Sequence, residues 1–159
     1  MQVTPHSPKR RALVSGLARL GIWVGAGTLS LLRPLWAVVW NQAAFETMKI
    51  DAAIQAAGIR QAQLSDDILI NAPEIAENGA QVPIDVTSRI PGTEHIYIFA
   101  DKNVQPYVAD FVIGKGLEPY VATRIKMGET SPLRVYVLAG GRYFYATREV
   151  QVTIGGCAS

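Results

Sequence analysis

The sequence is poor in the residues from which catalytic and metal centres are built. Its 159 positions hold one cysteine and two histidines, and only 18% of the residues are charged. The single cysteine, Cys157, can form no internal disulfide and cannot supply a multi-cysteine metal site. Acidic side chains are absent from the first 37 positions, where Lys9, Arg10, Arg11, Arg19 and Arg33 carry all the charge. Long apolar runs are missing from that segment too. Its longest uncharged stretch, Leu20 to Leu32, has 13 residues, and as a helix it reaches only ~20 Å of a ~30 Å hydrocarbon core. What the chain does have is apolar content, 49% of residues, and enough length for one domain of ordinary size. A disordered chain is excluded by that composition, and the length makes a two-domain enzyme a poor fit.

The overall charge of +2 is set by the beginning of the chain. Taking those five basic residues from the 15 Lys+Arg leaves 10 against 13 Asp+Glu, a balance of −3 for residues 38–159. That sign is wrong for an electrostatic nucleic-acid footprint. The order of the first segment, Lys9-Arg10-Arg11, then Ala12-Leu13-Val14, then a weakly apolar Gly-rich run to Trp40, is that of a secretory leader. The paired arginines resemble a twin-arginine signal, which exports folded proteins in bacteria. Residues 1–37 are therefore expected to be an export signal, with Ala37, Ala43 or Ala44 as alternative cleavage points. A retained membrane anchor is the competing reading, which would put Arg19 and Arg33 in or near lipid.

Beyond the leader the pattern is one short helix followed by strands. From Gln42 to Ala57, Ala43, Ala44, Phe45, Met48, Ala52, Ile54 and Ala57 recur near helical spacing, and Gly58 supplies a stop. After Gly58 the period changes to two. Strands are expected at Ile68 to Ile70, Val82 to Val86, Ile96 to Phe99, Tyr107 to Ile113, Val121 to Met127, Leu133 to Ala139 and Arg142 to Ile154. Asn78-Gly79 reads as a turn, and Gly140-Gly141 as a two-residue hairpin turn whose positive φ glycine tolerates. With no helical pattern between strands, βαβ units and a parallel sheet are excluded, and an antiparallel β-sandwich over residues 38–154 is the expected fold.

Within that fold few groups suggest catalysis. His95 stands at a strand start, but neither a nucleophile nor an orienting carboxylate is identifiable, so it reads as an exposed strand-edge side chain. The adjacent Asp66 and Asp67 would point to opposite faces of a strand or sit in a turn, which suits a solvated loop better than an acid/base pair. Gly114-Lys115-Gly116 lacks the following helix and the Ser/Thr of a phosphate loop. Arg142-Tyr143-Phe144-Tyr145 reads as half core and half surface of a hairpin rather than a base-stacking platform.

Cys157 is the exception. Free cysteines are usually buried, yet this one lies beyond the last strand in Gly155-Gly156-Cys157-Ala158-Ser159. Two glycines give a narrow, freely rotating arm, so residues 155–159 are expected to present an exposed thiol able to enter another protein's cleft. An incidental terminal thiol is the alternative, although such a group on an exported protein is open to oxidation.

The ending Val150-Gln151-Val152-Thr153-Ile154-Gly155-Gly156-Cys157 resembles the C-terminus of the SoxY family, the sulfur carriers of bacterial thiosulfate oxidation. Ala72 to Gly79 with Val82-Pro83, Ile98-Phe99 through Lys102-Asn103, and Glu118 to Met127 are similar to family blocks in the family's order, covering Phe45 to Cys157. The resemblance implies an immunoglobulin-like sandwich in the periplasm that pairs with a second small β-protein, the SoxZ-like subunit, and has no catalytic activity and no cofactor of its own. It implies sulfur intermediates held covalently on Cys157, with Gly155 and Gly156 as the hinge. A heme-containing enzyme would join thiosulfate to the thiol, a hydrolase would release sulfate, and a sulfane dehydrogenase, where present, would oxidise the remaining sulfur. No basic residue lies near Cys157 in sequence, so activation of the thiol is expected from the partners' clefts. Ala158-Ser159 departs from the family's Gly-Gly ending and adds side chains just beyond the thiol. An exported β-sandwich interaction domain without carrier activity is the competing reading.

Overall fold

The computed structural model describes residues 41–153. The expected export signal, the Gly155-Gly156 hinge and Cys157 lie outside the described residues. Two helices, α1 (Gln42–Glu46) and α2 (Ile50–Ala56), precede nine strands: β1 (Gln63–Leu64), β2 (Ile68–Asn71), β3 (Ile75–Ala76), β4 (Val82–Ser88), β5 (Thr93–Ala100), β6 (Tyr107–Val112), β7 (Tyr120–Ile125), β8 (Ser131–Ala139) and β9 (Arg142–Val152). They form a large sheet in the order β1-β9-β8-β5-β6, with β3 also on β9, and a three-stranded sheet in the order β2-β4-β7. The pairs among the longer strands are antiparallel, giving an immunoglobulin-like antiparallel β-sandwich. The two-residue strands β1 and β3 escape a period-two reading because they are too short to show a period. Both pair parallel to β9, at opposite ends of it.

Alternation along each strand divides the buried residues into two sets. Val82, Ile84 and Val86 of β4, Ile96 and Ile98 of β5, Leu133, Val135 and Val137 of β8 and Val150 of β9 fill the space between the sheets. Their neighbours Tyr97, Phe99, Tyr107 and Tyr136 face the other way and pack with Ala44, Ala53 and Ile59. A third layer thus covers the outer face of the large sheet. Gly140 and Gly141 have φ of 55° and 73°, the conformation that a two-residue hairpin turn needs at both positions.

The expected single helix from Gln42 to Ala57 is broken. Thr47 is extended at ψ 129°, and its hydroxyl donates to the Ala43 carbonyl at 2.6 Å, a local bond that competes with helix continuation. Asn41 joins the two pieces: its Oδ1 accepts from Ala44 N at 3.2 Å and its Nδ2 donates to Ala56 O at 2.7 Å. The stop at Gly58 is as expected. Gly58 N bonds Gln55 O and Ile59 N bonds Ile54 O, the paired bonds of a glycine-terminated helix end. Two short helices follow the curved aromatic surface, on which Ala44 and Ala53 are wholly buried.

Candidate functional site

Cys157 follows β9, so the described part of the site is the end of that strand. The β8–β9 ladder ends at the pair Ser131 and Val150, which leaves Gln151, Val152 and Thr153 beyond the end of β8. On one side β3 takes over: Gln151 N donates to Glu74 O at 2.9 Å and Thr153 N to Ala76 O at 3.1 Å. On the other side no strand is present among the described residues, and Val152 N donates to the side-chain oxygen of Thr130 at 2.9 Å. The same hydroxyl lies 3.5 Å from Val152 O.

Gly79 closes this end of the domain. A Cβ there would lie 2.3 Å from Met127 O and 2.7 Å from Val152 Cγ1, and Met127 N donates to Gly79 O at 2.7 Å. Its φ is not positive. The glycine at the expected Asn78-Gly79 turn is therefore demanded by close approach of two backbones and a valine, not by turn geometry. Asn103 braces the same corner, with Nδ2 donating to Lys126 O at 2.7 Å and Oδ1 accepting from Gly128 N at 3.0 Å. Exposed side chains around the root include Glu74, Glu77 and Glu129, and Ile75 is 55% exposed.

The other sequence candidates are dispersed. Asp66 and Asp67 occupy an exposed turn between β1 and β2, and Asp67 uses its carbonyl to accept from Arg89 N at 2.8 Å. Lys115 lies in a turn between β6 and β7, with Gly116 at φ 82°. In the β8–β9 hairpin, Tyr143 and Tyr145 pack on the helix side and Phe144 on the inter-sheet side, with Arg142 Cζ 5.5 Å from the Phe144 centroid. Both faces of the segment are therefore partly buried, where one core face and one surface face were expected, because the helices cover the outer side of the sheet.

His95 differs from the expected exposed edge residue. It is half-buried, stacks on Tyr97 with centroids 5.4 Å apart, and Nδ1 lies 3.1 Å from Asp110 Oδ1. Sequence reasoning found no orienting carboxylate because Asp110 lies on β6, where only strand pairing brings it alongside. Among the described residues no Ser, Thr or Cys side chain bonds to His95, so the arrangement lacks a nucleophile. Burial, then the nearby Asp110 carboxylate, raises the Tyr107 hydroxyl well above the ordinary phenol range. Arg134 pairs with Asp101 through two nitrogens at 2.7 and 2.8 Å, while Asp101 Oδ1 is buried without a partner. Burial outweighs the guanidinium's attraction, so the Asp101 pKa is raised. For Arg134 the balance is opposite: against burial, hydrogen bonds to Tyr136 and Asp101 raise it. An open groove lined by Asp51, Ile54, Gln55, Ile59, Arg60 and Gln61 lies beside α2, and no group of three His, Cys, Asp or Glu among the described residues could hold a metal ion. These groups do not converge on one reacting centre.

The family model described as "Sulfur oxidation protein SoxY" matches residues 54–157, a span ending on Cys157. The sulfur carrier protein SoxY from Chlorobium limicola f thiosulfatophilum is 46% identical, with a TM-score of 0.59 over 65% of this chain and 94% of that one. The human F-spondin reeler domain also matches, at 10% identity and a TM-score of 0.39 over 59% of this chain and 96% of that one. Comparison with curated proteins finds no match.

Proposed function

The chain belongs to the SoxY family of sulfur oxidation proteins, and from that premise we propose that it carries sulfur intermediates covalently on Cys157 in periplasmic thiosulfate oxidation. The observation that carries the reading is the family match running through the β-sandwich to Cys157 itself. The 46% identity to a sulfur carrier protein supports it. The chemistry asks little of the carrier. Loading joins the outer sulfur of thiosulfate to the thiol sulfur; one proton leaves the thiol and two electrons pass to a heme-containing partner, giving Cys–S–S–SO3⁻. Water then cleaves the S–SO3 bond in a hydrolase, releasing sulfate and leaving a persulfide on Cys157. A sulfane dehydrogenase, where present, oxidises that remaining sulfur. The thiolate is the competent form for loading.

In this reading the sandwich is a handle, Gly155 and Gly156 are the hinge, and the paired arginines at Arg10-Arg11 begin the export signal. A second small β-domain, the SoxZ-like subunit, completes a heterodimer. The carrier contributes no catalytic residue and no cofactor. The test is mass spectrometry of the protein from thiosulfate-grown cells. Thiosulfonate and persulfide adducts are expected on the peptide containing Cys157, and Cys157→Ser should abolish both the adducts and growth on thiosulfate. An unmodified Cys157, with Cys157→Ser cells oxidising thiosulfate normally, overturns the proposal in favour of an interaction domain. Copurification of the native protein with a small β-protein tests the pairing, and a strictly monomeric native protein would refute it.

A further inference from the structure

We infer that β6 is the edge to which a second β-domain adds a strand, extending the large sheet, and that the added strand carries a Lys or Arg opposite Asp110. The inference rests on the pairing with a small β-protein proposed above and assigns to that pairing a surface and a sequence pattern.

The large sheet ends at β6, which pairs only with β5 among the described residues. Ile113 N donates to Glu94 O at 2.8 Å. Backbone groups of an antiparallel strand alternate sides, so the N–H and C=O of Asp110 and Val112 point away from β5. The far side of the sheet is different, because β1 and β3 meet the outer edge of β9. Exposed edges are usually blunted by charge, proline or shortness. In the small sheet β2 has 4 residues, and β7 exposes Arg124 and is followed by exposed Lys126. Strand β6 contains no proline, and Asp110 is its only charged residue.

The core is also less closed at this flank. Arg148 of β9 donates to Ile70 O of β2 at 3.4 Å, which lays β2 along β9 and leaves β6 and β7 together on the opposite side. Phe111 and Ala109 pair with Ile96 and Ile98 and pack on the same inter-sheet core. Ile96 and Ile98 are wholly buried, whereas Phe111 and Ala109 are only partly so. Nearby, Val112, Leu117 and Tyr120 are exposed. A strand added to β6 would meet the free backbone groups, and its alternate apolar side chains would close the core beside Phe111 and Ala109.

Charge selects the occupant. Cross-strand neighbours share a face, and the bulge between Ile98 and Phe99 breaks the alternation of β6 before Ala109. Paired antiparallel with a second copy so that Ala109 faces Phe111, β6 would set Asp110 against Asp110, a destabilising contact. A slip of two residues sets Asp110 against Val112 over the shorter overlap of residues 110–112, still without an opposite charge. Asp110 Oδ1 lies 3.1 Å from His95 Nδ1, and its side chain keeps 28% exposure, so it stays open to a further donor. A different β-domain with a basic residue at the facing position satisfies what a second copy does not.

Hydrogen exchange of the native protein, free and in its heterodimer with the small β-protein that copurifies with it, tests the assignment. The Asp110 and Val112 amides are expected to slow at least ten-fold in the heterodimer, and Phe111, already bonded to β5, to change less. Val112→Pro removes an N–H that faces away from β5, a change that an edge strand tolerates, and should weaken the heterodimer about five-fold or more, the equivalent of one hydrogen bond. Asp110→Lys should weaken it at least as much by opposing the basic residue, and it decides the matter alone if Val112→Pro does not fold. A heterodimer in which Asp110 and Val112 exchange as in the free chain, or which Asp110→Lys leaves equally tight, overturns the assignment and leaves the pairing standing. Protection of the same amides in a concentration-dependent homodimer gives the edge to a second copy and overturns it too. A native protein that binds no small β-protein refutes the pairing itself and this assignment with it.

Discussion

The two faces of the large sheet are built by the same strands from alternate residues, yet they solve different packing problems. The inner face is aliphatic: Ile96, Ile98, Leu133, Val135, Val137 and Val150 meet the three-stranded sheet and bury no polar side-chain atom of their own. The outer face is aromatic. Phe45, Tyr107 and Phe99 stack with centroids 4.1 and 4.8 Å apart, Phe99 meets Tyr136 edge-on at 5.5 Å, and Tyr136 stacks on Tyr145 at 5.7 Å. Two sheets offer matched β-branched surfaces that interleave. Two short helices presenting alanines offer little volume, so large rings from the sheet must fill the layer. Those rings bring hydroxyls with them, and burial is the leading reason that Tyr97, Tyr107 and Tyr136 hold their protons more tightly than free phenols. The aliphatic side continues along β9 to Val152, whereas the aromatic side contains the tyrosines whose protons burial holds more tightly.

The contrast can be broken most forcefully at the adjacent residues Ile98 and Phe99, both fully buried. Phe99→Ala is expected to cost about 3–5 kcal/mol and Ile98→Ala about 2–5 kcal/mol. Amide exchange should separate them, with α1 and α2 losing protection first in Phe99→Ala and both sheets opening together in Ile98→Ala. Equal helix protection in the two variants would show that the aromatic layer is not a separate unit. A smaller effect is expected at the arm end of the aliphatic side. Gly79→Ala must displace Met127 O or Val152, at about 1–3 kcal/mol in denaturant titration, with Val152 and Thr153 amides exchanging faster than those of the helices.

Removing the bonds that Asn41 makes to both helices should cost about 0.5–2 kcal/mol in Asn41→Ala, confined to the helical layer. The smallest effect is a pH slope. Because the Asp101 pKa is raised in the folded state, its protonated form favours folding, and that contribution fades as pH rises through the folded value. Wild type should therefore gain stability relative to Asp101→Asn as pH falls from 7 toward the ordinary aspartate range, measured as the difference in Tm. The opposite slope would mean that the Arg134 ion pair outweighs burial.

Much of this was legible in the sequence. The longer strands were visible as period-two runs because each has one face in the core, and Gly58 and Gly140-Gly141 announced their turns through the φ that only glycine adopts cheaply. The helix was read as continuous because Met48 falls on the apolar period, but it is 73% exposed, and the local Thr47 bond breaks the turn there. At the site, the Gly-Gly-Cys ending singled out Cys157 as the proposed attachment residue. Thr130 and Ala76 gave no signal, since a hydroxyl that replaces a strand and a carbonyl that meets Thr153 have no local pattern.

The sequence by itself determined the fold class, the family and the identity of Cys157 as the attachment candidate, because periodicity, turn glycines and a terminal thiol are properties of neighbouring residues. The tertiary structure alone decided where β9 is held. The partners of Gln151, Val152 and Thr153 come from Glu74, Ala76 and Thr130, which stand more than 20 to more than 70 positions away in the chain. Hydrogen bonds over that separation form only when strand pairing has brought the segments together, so the way the end of β9 is held is a product of the folded sandwich.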